Sequence, residues 1–446
     1  MPLKTLLYLS LFGLAFLGGI FRHPVIGVYA YLATYNINPL GQWWGRFLPS
    51  FAERYAMLLA LAIALGVLFQ HAKLRYGRLL ERQEVLLLLF VGVMWLSVLV
   101  GQGSGVDYNI TKMTKVVLIL LMASHVVTTA KQFEGMLWVF ILSGLYLGYE
   151  LYGGGGRFFG GRFHGGIGGS DFGEGNFLAA HFAFILPYVG VMLIKSAWKA
   201  RAVLLLSAVF IVNSIVMTRS RGTFLALAVG AVFSLLLISG IKQYRKYVVV
   251  LIFVGMAGAV FLTDGSFWAR METLQVENVE DRDASAQGRL YAWRGAWEMS
   301  KDYPLGVGVG EFFSHIGGYA PEMAGRDAHS TYLRCLSELG FLGFALLMAI
   351  ICNSFLILRK VEKASSSLEH DRVVNYQLFI YATRLALIIY LTAATFITST
   401  YIEEFYWLLL LPVFLKRALD NEMELFESKK VISLDTSVGQ MNGLYP

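Results

Sequence analysis

The sequence predicts an all-α polytopic integral membrane protein with about 12 transmembrane helices and one large external loop of short helices. Of its 446 residues, 57% are hydrophobic and only 15% are charged, and the mean hydropathy is +0.59. Apolar runs of about 20 residues recur along the chain, and each is long enough to cross the hydrocarbon core of a bilayer. Lys and Arg also cluster in alternate loops, as expected for a chain that crosses a membrane many times.

The first apolar run, residues 3–21, predicts a retained helix, because no small-residue cleavage pattern follows it. Residues 24–38 are interpreted as a broken or re-entrant stretch that does not span. Pro24, Gly27 and the run NINP at 36–39 interrupt it, and irregular backbone inside a membrane must be buried by protein. If this segment spanned, the count would be 13 and the amino terminus would move outside.

The basic loops predict the orientation of the spans. Clusters of Lys and Arg lie within residues 73–82, 195–201, 242–246, 359–372 and 416–417. Cytoplasmic loops carry this excess of positive charge, so both termini are expected in the cytoplasm. The intervening loops, at 102–112, 153–176, 218–221, 264–328 and 399–404, are then expected outside.

This topology divides the chain into four parts. Residues 1–263 form transmembrane helices 1–9, with a Gly-rich external loop at 153–176. Residues 264–329 form the large external loop, which carries part of the predicted active site. Residues 330–416 form the C-terminal helices, and 417–446 form a cytoplasmic tail.

The large external loop is acidic although the whole chain has a formal charge of +7. Residues 264–328 contain six Lys or Arg against eleven Asp or Glu, a net of −5. An acidic outer face repels nucleic acid, so nucleic acid is excluded as a partner. The arginines that remain in this acidic surrounding are therefore candidates for a function.

Two arginines occupy a tight external turn. Residues 218–222 read TRSRG, so Arg219 and Arg221 stand beside a glycine that allows close approach of a ligand. Guanidinium groups and backbone donors that converge in this way form a compact anion site. The alternative is that both side chains snorkel to the outer headgroups.

An amphipathic helix is predicted over residues 283–297, with Asp283 or Ser285 as its cap. Arg289, Trp293 and Trp297 are spaced four residues apart and share one face. An interfacial helix with its tryptophans at headgroup depth is the alternative. The run PLGVGVG at 304–310 is expected to end this helix in a turn. It follows no strand, so it is not a nucleotide-binding motif.

The Gly-rich segment 153–176 contains Arg157 and Arg162. A flexible linker is one interpretation. The interleaved Phe and Arg residues also suit a mobile lid over an amphiphilic, anionic substrate.

His329 precedes a long helix that is predicted to begin near Ser330. Gly340 and Gly343 are expected on the same face, packed closely against another helix. A lone histidine is more often structural than catalytic. At a water-facing helix end, however, an imidazole titrates near neutral pH and can take a proton from a hydroxyl.

The order and common sidedness of these motifs resemble the O-antigen ligase and polymerase superfamily of bacterial envelopes. The resemblance is strongest over residues 150–345. Residues 21–27 and the Gly-rich segment look closer to a ligase branch that includes protein O-glycosylation ligases. The matching residues are SRG at 220–222, Asp283, Arg289, Trp293 and Ala296, PLGVG at 304–308, HSxYL at 329–333, and Glu338, Gly340 and Gly343.

The resemblance implies a glycosyltransferase of the GT-C-like type in the bacterial inner membrane, with its active site facing the periplasm. Its donor would be a glycan linked to undecaprenyl pyrophosphate, and its acceptor a hydroxyl of lipid A-core, in lipopolysaccharide biosynthesis. A protein acceptor, or another lipid-linked glycan as in a polymerase, uses the same donor. A transporter of lipid-linked sugars is the alternative from another class, although the sequence shows no internal repeat of the kind that transporters carry.

The expected chemistry is a single displacement that inverts the anomeric centre. Arg221, Arg289 and Arg219 are assigned to the leaving diphosphate, since guanidinium groups bind phosphate oxygens bidentately. Trp293, Arg157 and Arg162 are further candidates for binding the pyrophosphate or glycan, and His329 is the candidate general base. If His329 is not the base, Asp283, Glu403 and Glu404 are the next candidates. We expect no metal and no cofactor, and membrane lipids surround the spans.

Overall fold

Long helices make up most of the protein in this computed structural model. It describes residues 1–70, 74, 78–103, 105–263, 265, 268 and 284–442, without the side chains of 170, 284–286 and 427–442. The long helices are α1 Leu3–Phe21, α2 Val25–Ile37, α3 Tyr55–Phe69, α4 Arg82–Val100, α5 Tyr108–Val126, α6 Ala130–Tyr152, α7 Gly175–Lys195, α8 Trp198–Thr218, α9 Arg221–Leu237, α10 Arg245–Leu262, α11 Ala284–Asp302, α12 Thr331–Ser365, α13 His370–Ala393 and α14 Glu403–Asn442. A short hairpin, β1 Arg157–Phe159 and β2 Arg162–Gly165, lies between α6 and α7.

The fold class predicted from the sequence is confirmed: the protein is an all-α polytopic membrane protein. Ten helical segments of the described residues are long and apolar enough to cross a membrane. One of them, Arg221–Leu262, contains both α9 and α10, separated by a turn at Ile238–Tyr244. The apolar start of α14 is buried from residue 405 to 415. With α9 and α10 counted separately, these segments contain eleven helices of the described chain, and α14 is not among them.

Helix α13 lies near the centre of the bundle, where it packs against α7 and α9. Helix α12 packs against α4 and α14. Helices α1, α2 and α3 pack against one another, and α2 also packs against α6. Helix α10 lies at the edge, since Val248 is its one buried residue. The core is therefore built from α7, α13 and α14, and it supports the loops at one end of the bundle.

Residues 25–37 form one continuous helix, so the prediction of a broken stretch at 24–38 was wrong. Pro24 stands at the helix N-cap, where its missing N–H costs no hydrogen bond. Gly27 permits close packing, because a Cβ there would lie 2.9 Å from Ile63 Cγ1. The helix has 13 residues and measures about 20 Å at 1.5 Å per residue. It is shorter than the hydrocarbon core of about 30 Å.

The loops separate to two ends of the bundle in the pattern that the basic clusters predict. At one end, the Gln102 N–H donates to the Val307 carbonyl, and the Glu403 N–H donates to Asp171. We call this the site end. At the opposite end Lys416 pairs with Glu81, and α14 continues as a helix beyond residue 417.

Candidate functional site

The turn between α8 and α9 places two arginines at the site end. Arg219 adopts a left-handed conformation with φ 48° and ends α8, while Ser220 is the N-cap of α9. Arg221 is the first residue of α9 and is buried. A Cβ on Gly222 would lie 2.9 Å from the Cβ of Phe396, so a glycine is needed for this close approach. The TRSRG sequence therefore makes a sharp turn pressed against the segment that follows α13.

The Gly-rich segment is an ordered hairpin, and not the flexible linker that its composition suggested. The Phe163 side chain is fully buried, and so is Phe172 beyond the hairpin. Arg162 Nε donates to the Thr218 carbonyl at 2.9 Å, and its terminal nitrogen donates to Asn176 Oδ1 at 3.1 Å. The hairpin is thereby fastened to the α8–α9 turn.

Four of the predicted arginines line one cavity of about 40 Å³, which we call the arginine cavity. Arg162 comes from the hairpin, Arg219 and Arg221 from the turn, and Arg289 from α11. The other residues around it are Asn176, Ser220, Gly222, Thr223, Ala393, Phe396 and Ile397. Four guanidinium groups from three separate parts of the chain produce a strongly positive site, which favours a multiply charged anion.

Arg157 lies outside the arginine cavity. It lies on β1, is exposed, and is not among the residues that line the arginine cavity. Its guanidinium folds over the hairpin glycines, since a Cβ on Gly166 would lie 3.7 Å from Arg157 Nε. The structure therefore separates Arg157 from Arg162, which the sequence treated alike.

Trp293 lies one turn beyond Arg289 on α11. Its ring centroid is 6.1 Å from that of Phe396, which lines the arginine cavity. Its indole Nε1 donates to the Ala328 carbonyl at 3.1 Å. Trp293 therefore ties the arginine-bearing helix to the residue that precedes His329. Trp297, on the same face in the sequence prediction, is 46% exposed.

His329 is half-buried at the start of α12 and does not line the arginine cavity. Its backbone is left-handed, with φ 46°. Ser330 caps α12 by accepting from the Leu333 N–H, as the sequence predicts. The next residue, Thr331, donates from its N–H to the Ala394 carbonyl at 2.9 Å and from Oγ1 to the Ile397 carbonyl at 2.8 Å. These bonds fix the His329 backbone beside the segment that bounds the cavity.

Gly340 packs against the loop at Pro304, so the expectation that this residue meets another helix was wrong. It interrupts α12 with φ 65°, and a Cβ there would lie 2.2 Å from the Pro304 carbonyl oxygen. The Gly308 N–H donates to the Glu338 carbonyl at 3.0 Å, and the Phe341 N–H donates to Pro304 at 2.9 Å. The PLGVGVG run is therefore bonded into a break in α12.

A buried polar cluster lies beneath the site end, and its His181 was not predicted from the sequence. Glu404 is hydrogen-bonded to His181, and both side chains are buried. Glu403 accepts from Tyr31 OH at 3.2 Å and from Trp407 Nε1 at 2.9 Å. The two glutamates that stood as reserve bases are thus buried and bonded inside the bundle. The third reserve, Asp283, lies outside the described residues.

The chain contributes two further groups to the site that the sequence did not single out. Asn176 orients Arg162, and Phe396 joins Trp293 to Gly222. Neither stands in a polar motif, so residue type alone gave no signal. Among the described residues, no group of three or more His, Cys, Asp or Glu side chains is arranged to hold a metal ion.

The fold and the site define a multi-pass helical membrane protein with an arginine-lined cavity at one end. Residues 206–348 match the family model described as O-antigen ligase. This segment of the chain is therefore similar to the O-antigen ligase family. The matched segment includes Arg219, Arg221, Arg289, Trp293 and His329. Arg162 precedes it and lies outside the match. No curated protein matches the chain.

Proposed function

We propose that this protein is an O-antigen ligase that transfers a glycan from undecaprenyl pyrophosphate to a hydroxyl of lipid A-core. The reaction would take place at the periplasmic face of the bacterial inner membrane. The observation that carries this proposal is the convergence of Arg162, Arg219, Arg221 and Arg289 on one cavity. A lipid diphosphate is the ligand whose charge and oxygen geometry best suit such a site.

The arginines would hold the diphosphate and stabilise the charge that grows on it as the glycosidic bond breaks. His329 would accept the proton of the acceptor hydroxyl as that oxygen bonds to the anomeric carbon. The electron pair of the broken bond leaves with the diphosphate. One displacement of this kind inverts the anomeric centre and uses no metal.

The arginine cavity is small, with a volume of about 40 Å³, and we infer that it widens when the donor binds. We infer that the hairpin is the element that moves, since Arg162 holds it by one hydrogen bond to Thr218 at the end of α8 and by one to Asn176 of α7. Moving the hairpin would release these bonds and allow Arg162 to turn toward the donor. This keeps the lid interpretation of the Gly-rich segment within the proposal.

The test is transfer by the purified protein from a lipid-linked donor to lipid A-core. Lys keeps the charge of Arg but loses the planar fork, so Arg221→Lys and Arg289→Lys should each lose most transfer. Removing one stabilising donor typically costs about 2.7–4 kcal/mol, which is roughly 100-fold to 1000-fold in rate. Arg46→Lys, an exposed arginine in the loop between α2 and α3, is the matched control.

Normal transfer by both Lys variants at equal abundance would contradict the proposal. Transfer to a protein or to another lipid-linked glycan, with none to lipid A-core, would identify the protein O-glycosylation ligase or the polymerase instead. Movement of the donor across the membrane without any transfer would identify a transporter.

A further inference from the structure

A second polar cavity lies at the site end, next to the segment between α13 and α14. Its volume is about 360 Å³, and it is lined by residues from α5, from the turn after the hairpin, and from both sides of His329. The side chains include Tyr108, Asn109, Asp171, Asp327, Thr398 and Tyr401. The proposed donor chemistry makes no use of these residues.

The segment between α13 and α14 bounds both cavities. Ala393, Phe396 and Ile397 line the arginine cavity, whereas Thr398, Tyr401 and Ile402 line the second cavity. The two cavities are therefore neighbours that share one stretch of backbone.

His329 lies between the two cavities along the chain. Asp327, two residues earlier, lines the second cavity. Thr331, two residues later, is bonded to Ala394 and Ile397 at the arginine cavity. Two residues of chain span at most about 7 Å. The His329 backbone therefore lies within about 7 Å of Asp327, which lines the second cavity, and of Thr331, which is bonded to the arginine cavity.

The charges in the second cavity are balanced. Lys112 pairs with Asp171 at 2.5 Å, and Arg334 pairs with Asp327 at 2.8 Å. Because each cation already has a carboxylate, this lining favours a neutral polar ligand over a second phosphate.

The remaining groups in the lining of the second cavity are of the kinds that bind hydroxyls and sugar rings. Thr398 Oγ1 is buried and has no hydrogen-bond partner among the described residues. Buried hydroxyls normally bond to protein or water, so this one is available to a ligand. Tyr108 is 75% exposed and offers an aromatic face at the rim. Asn109 adds an amide that can both donate and accept.

We propose that the second cavity binds the carbohydrate part of the acceptor. This inference rests on the proposed function. A single displacement brings the acceptor hydroxyl to the face of the anomeric carbon opposite the leaving diphosphate. The hydroxyl oxygen bonds to that carbon, its proton passes to His329, and the diphosphate leaves from the arginine side. The two cavities adjoin along residues 393–402, and His329 is two residues from Asp327 in the second cavity and two residues from Thr331, which is bonded to Ile397 of the arginine cavity.

The experiment measures the KM for donor and for acceptor separately, with purified full-length protein in detergent. The probes are an undecaprenyl-pyrophosphate-linked glycan as donor and either a lipid bearing a core oligosaccharide or a Ser/Thr-containing peptide as acceptor. Thr398→Val keeps the shape of the side chain and removes its hydroxyl, and Asn109→Ala removes the amide. The matched control is Thr263→Val, since Thr263 is half-buried just after α10 and lines neither cavity.

Each cavity variant should raise the KM for the oligosaccharide acceptor by about 2-fold to 12-fold, the effect of one lost hydrogen bond. The KM for the donor should stay at the control value, which also reports that the variants fold. Unchanged acceptor KM in both variants, or a parallel rise in donor KM, would overturn the assignment of the cavity.

The same experiment also tests whether the acceptor is a carbohydrate or a peptide. Wild-type transfer to the peptide and not to the oligosaccharide would overturn the carbohydrate assignment. Failure of the wild type to transfer to either acceptor would contradict the proposed function itself, and this result is distinguishable from normal wild-type transfer with unaffected variants.

Discussion

Trp293 donates a hydrogen bond from its indole nitrogen to the carbonyl of Ala328 at 3.1 Å. This bond joins α11, which carries Arg289, to the residue next to His329. The arginine cavity and the candidate base are therefore coupled through one side chain. The coupling explains how an aromatic residue with no charge can matter to the proposed reaction.

Trp293→Phe should lower turnover while leaving the donor KM nearly unchanged. Phe keeps a ring against Phe396 but loses the indole donor, so the backbone at Ala328 is held less firmly. A hydrogen bond of this kind contributes about 0.5–1.5 kcal/mol, which corresponds to a fall of roughly 2-fold to 12-fold. Trp297→Phe, on the exposed side of the same helix, is the control. An equal loss in both variants would mean that α11 tolerates no change and that the Ala328 bond has no special role.

Those parts of the site that depend on local sequence patterns could be predicted from the sequence. Charge alternation gave the two ends of the bundle, and the TRSRG turn and the cap at Ser330 followed from short-range residue preferences. The cavity itself depends on contacts between distant parts of the chain. Arg157 and Arg162 look equivalent in sequence, yet only Arg162 reaches the Thr218 carbonyl.

The wrong expectations share a physical cause. Pro24 and Gly27 predicted a broken segment, but a proline at an N-cap and a glycine at a close contact are both compatible with a continuous helix. Gly340 predicted close helix packing, and it does permit close approach, but to the Pro304 backbone. In each case the residue type was informative and the partner was supplied by tertiary packing, which periodicity does not reveal.

Gly222→Ala should destabilise the protein and reduce transfer. The added methyl group would lie 2.9 Å from the Phe396 Cβ, so α9 and the segment after α13 must separate. Overpacking of this kind typically costs about 1–3 kcal/mol. The measurement is the midpoint of thermal unfolding in detergent together with the transfer rate. Gly258→Ala is the control, because a Cβ at Gly258 meets nothing within 4 Å. A Gly222→Ala protein as stable and active as this control would show that the contact is relaxed in solution.

Sidedness should be measured at exposed positions, since Ser220 and Ala328 at the site end are buried. Phe159 is 79% exposed on the hairpin, and Trp198 is 73% exposed at the start of α8 at the opposite end. In a background with Cys335 and Cys352 replaced by Ser, an impermeant thiol reagent should label Phe159→Cys in intact spheroplasts. Trp198→Cys should be labelled only after the membrane is opened. Labelling in the reverse order would place the arginine cavity in the cytoplasm and remove the basis for a periplasmic reaction.

The last prediction is that His329 is the general base and that no metal takes part. If His329 accepts the proton of the acceptor hydroxyl, replacing it should change the pH profile of transfer. His329→Ala should keep the wild-type donor KM, because the arginine cavity does not include this side chain. Its turnover should fall by about 100-fold to 10,000-fold, the usual contribution of general acid–base catalysis.

The assay compares wild type, His329→Ala and His329→Gln from about pH 5.5 to 8.5 with EDTA present throughout, since chelation should leave wild-type transfer unchanged. His315→Ala, a half-buried histidine in the same external region, controls for the loss of any imidazole. Restoration of EDTA-inhibited transfer by a divalent cation would refute the metal-independent mechanism. Wild-type turnover and pH profile in His329→Ala would require a different base, and the burial of Glu403 and Glu404 would direct that search to Asp327 at the second cavity.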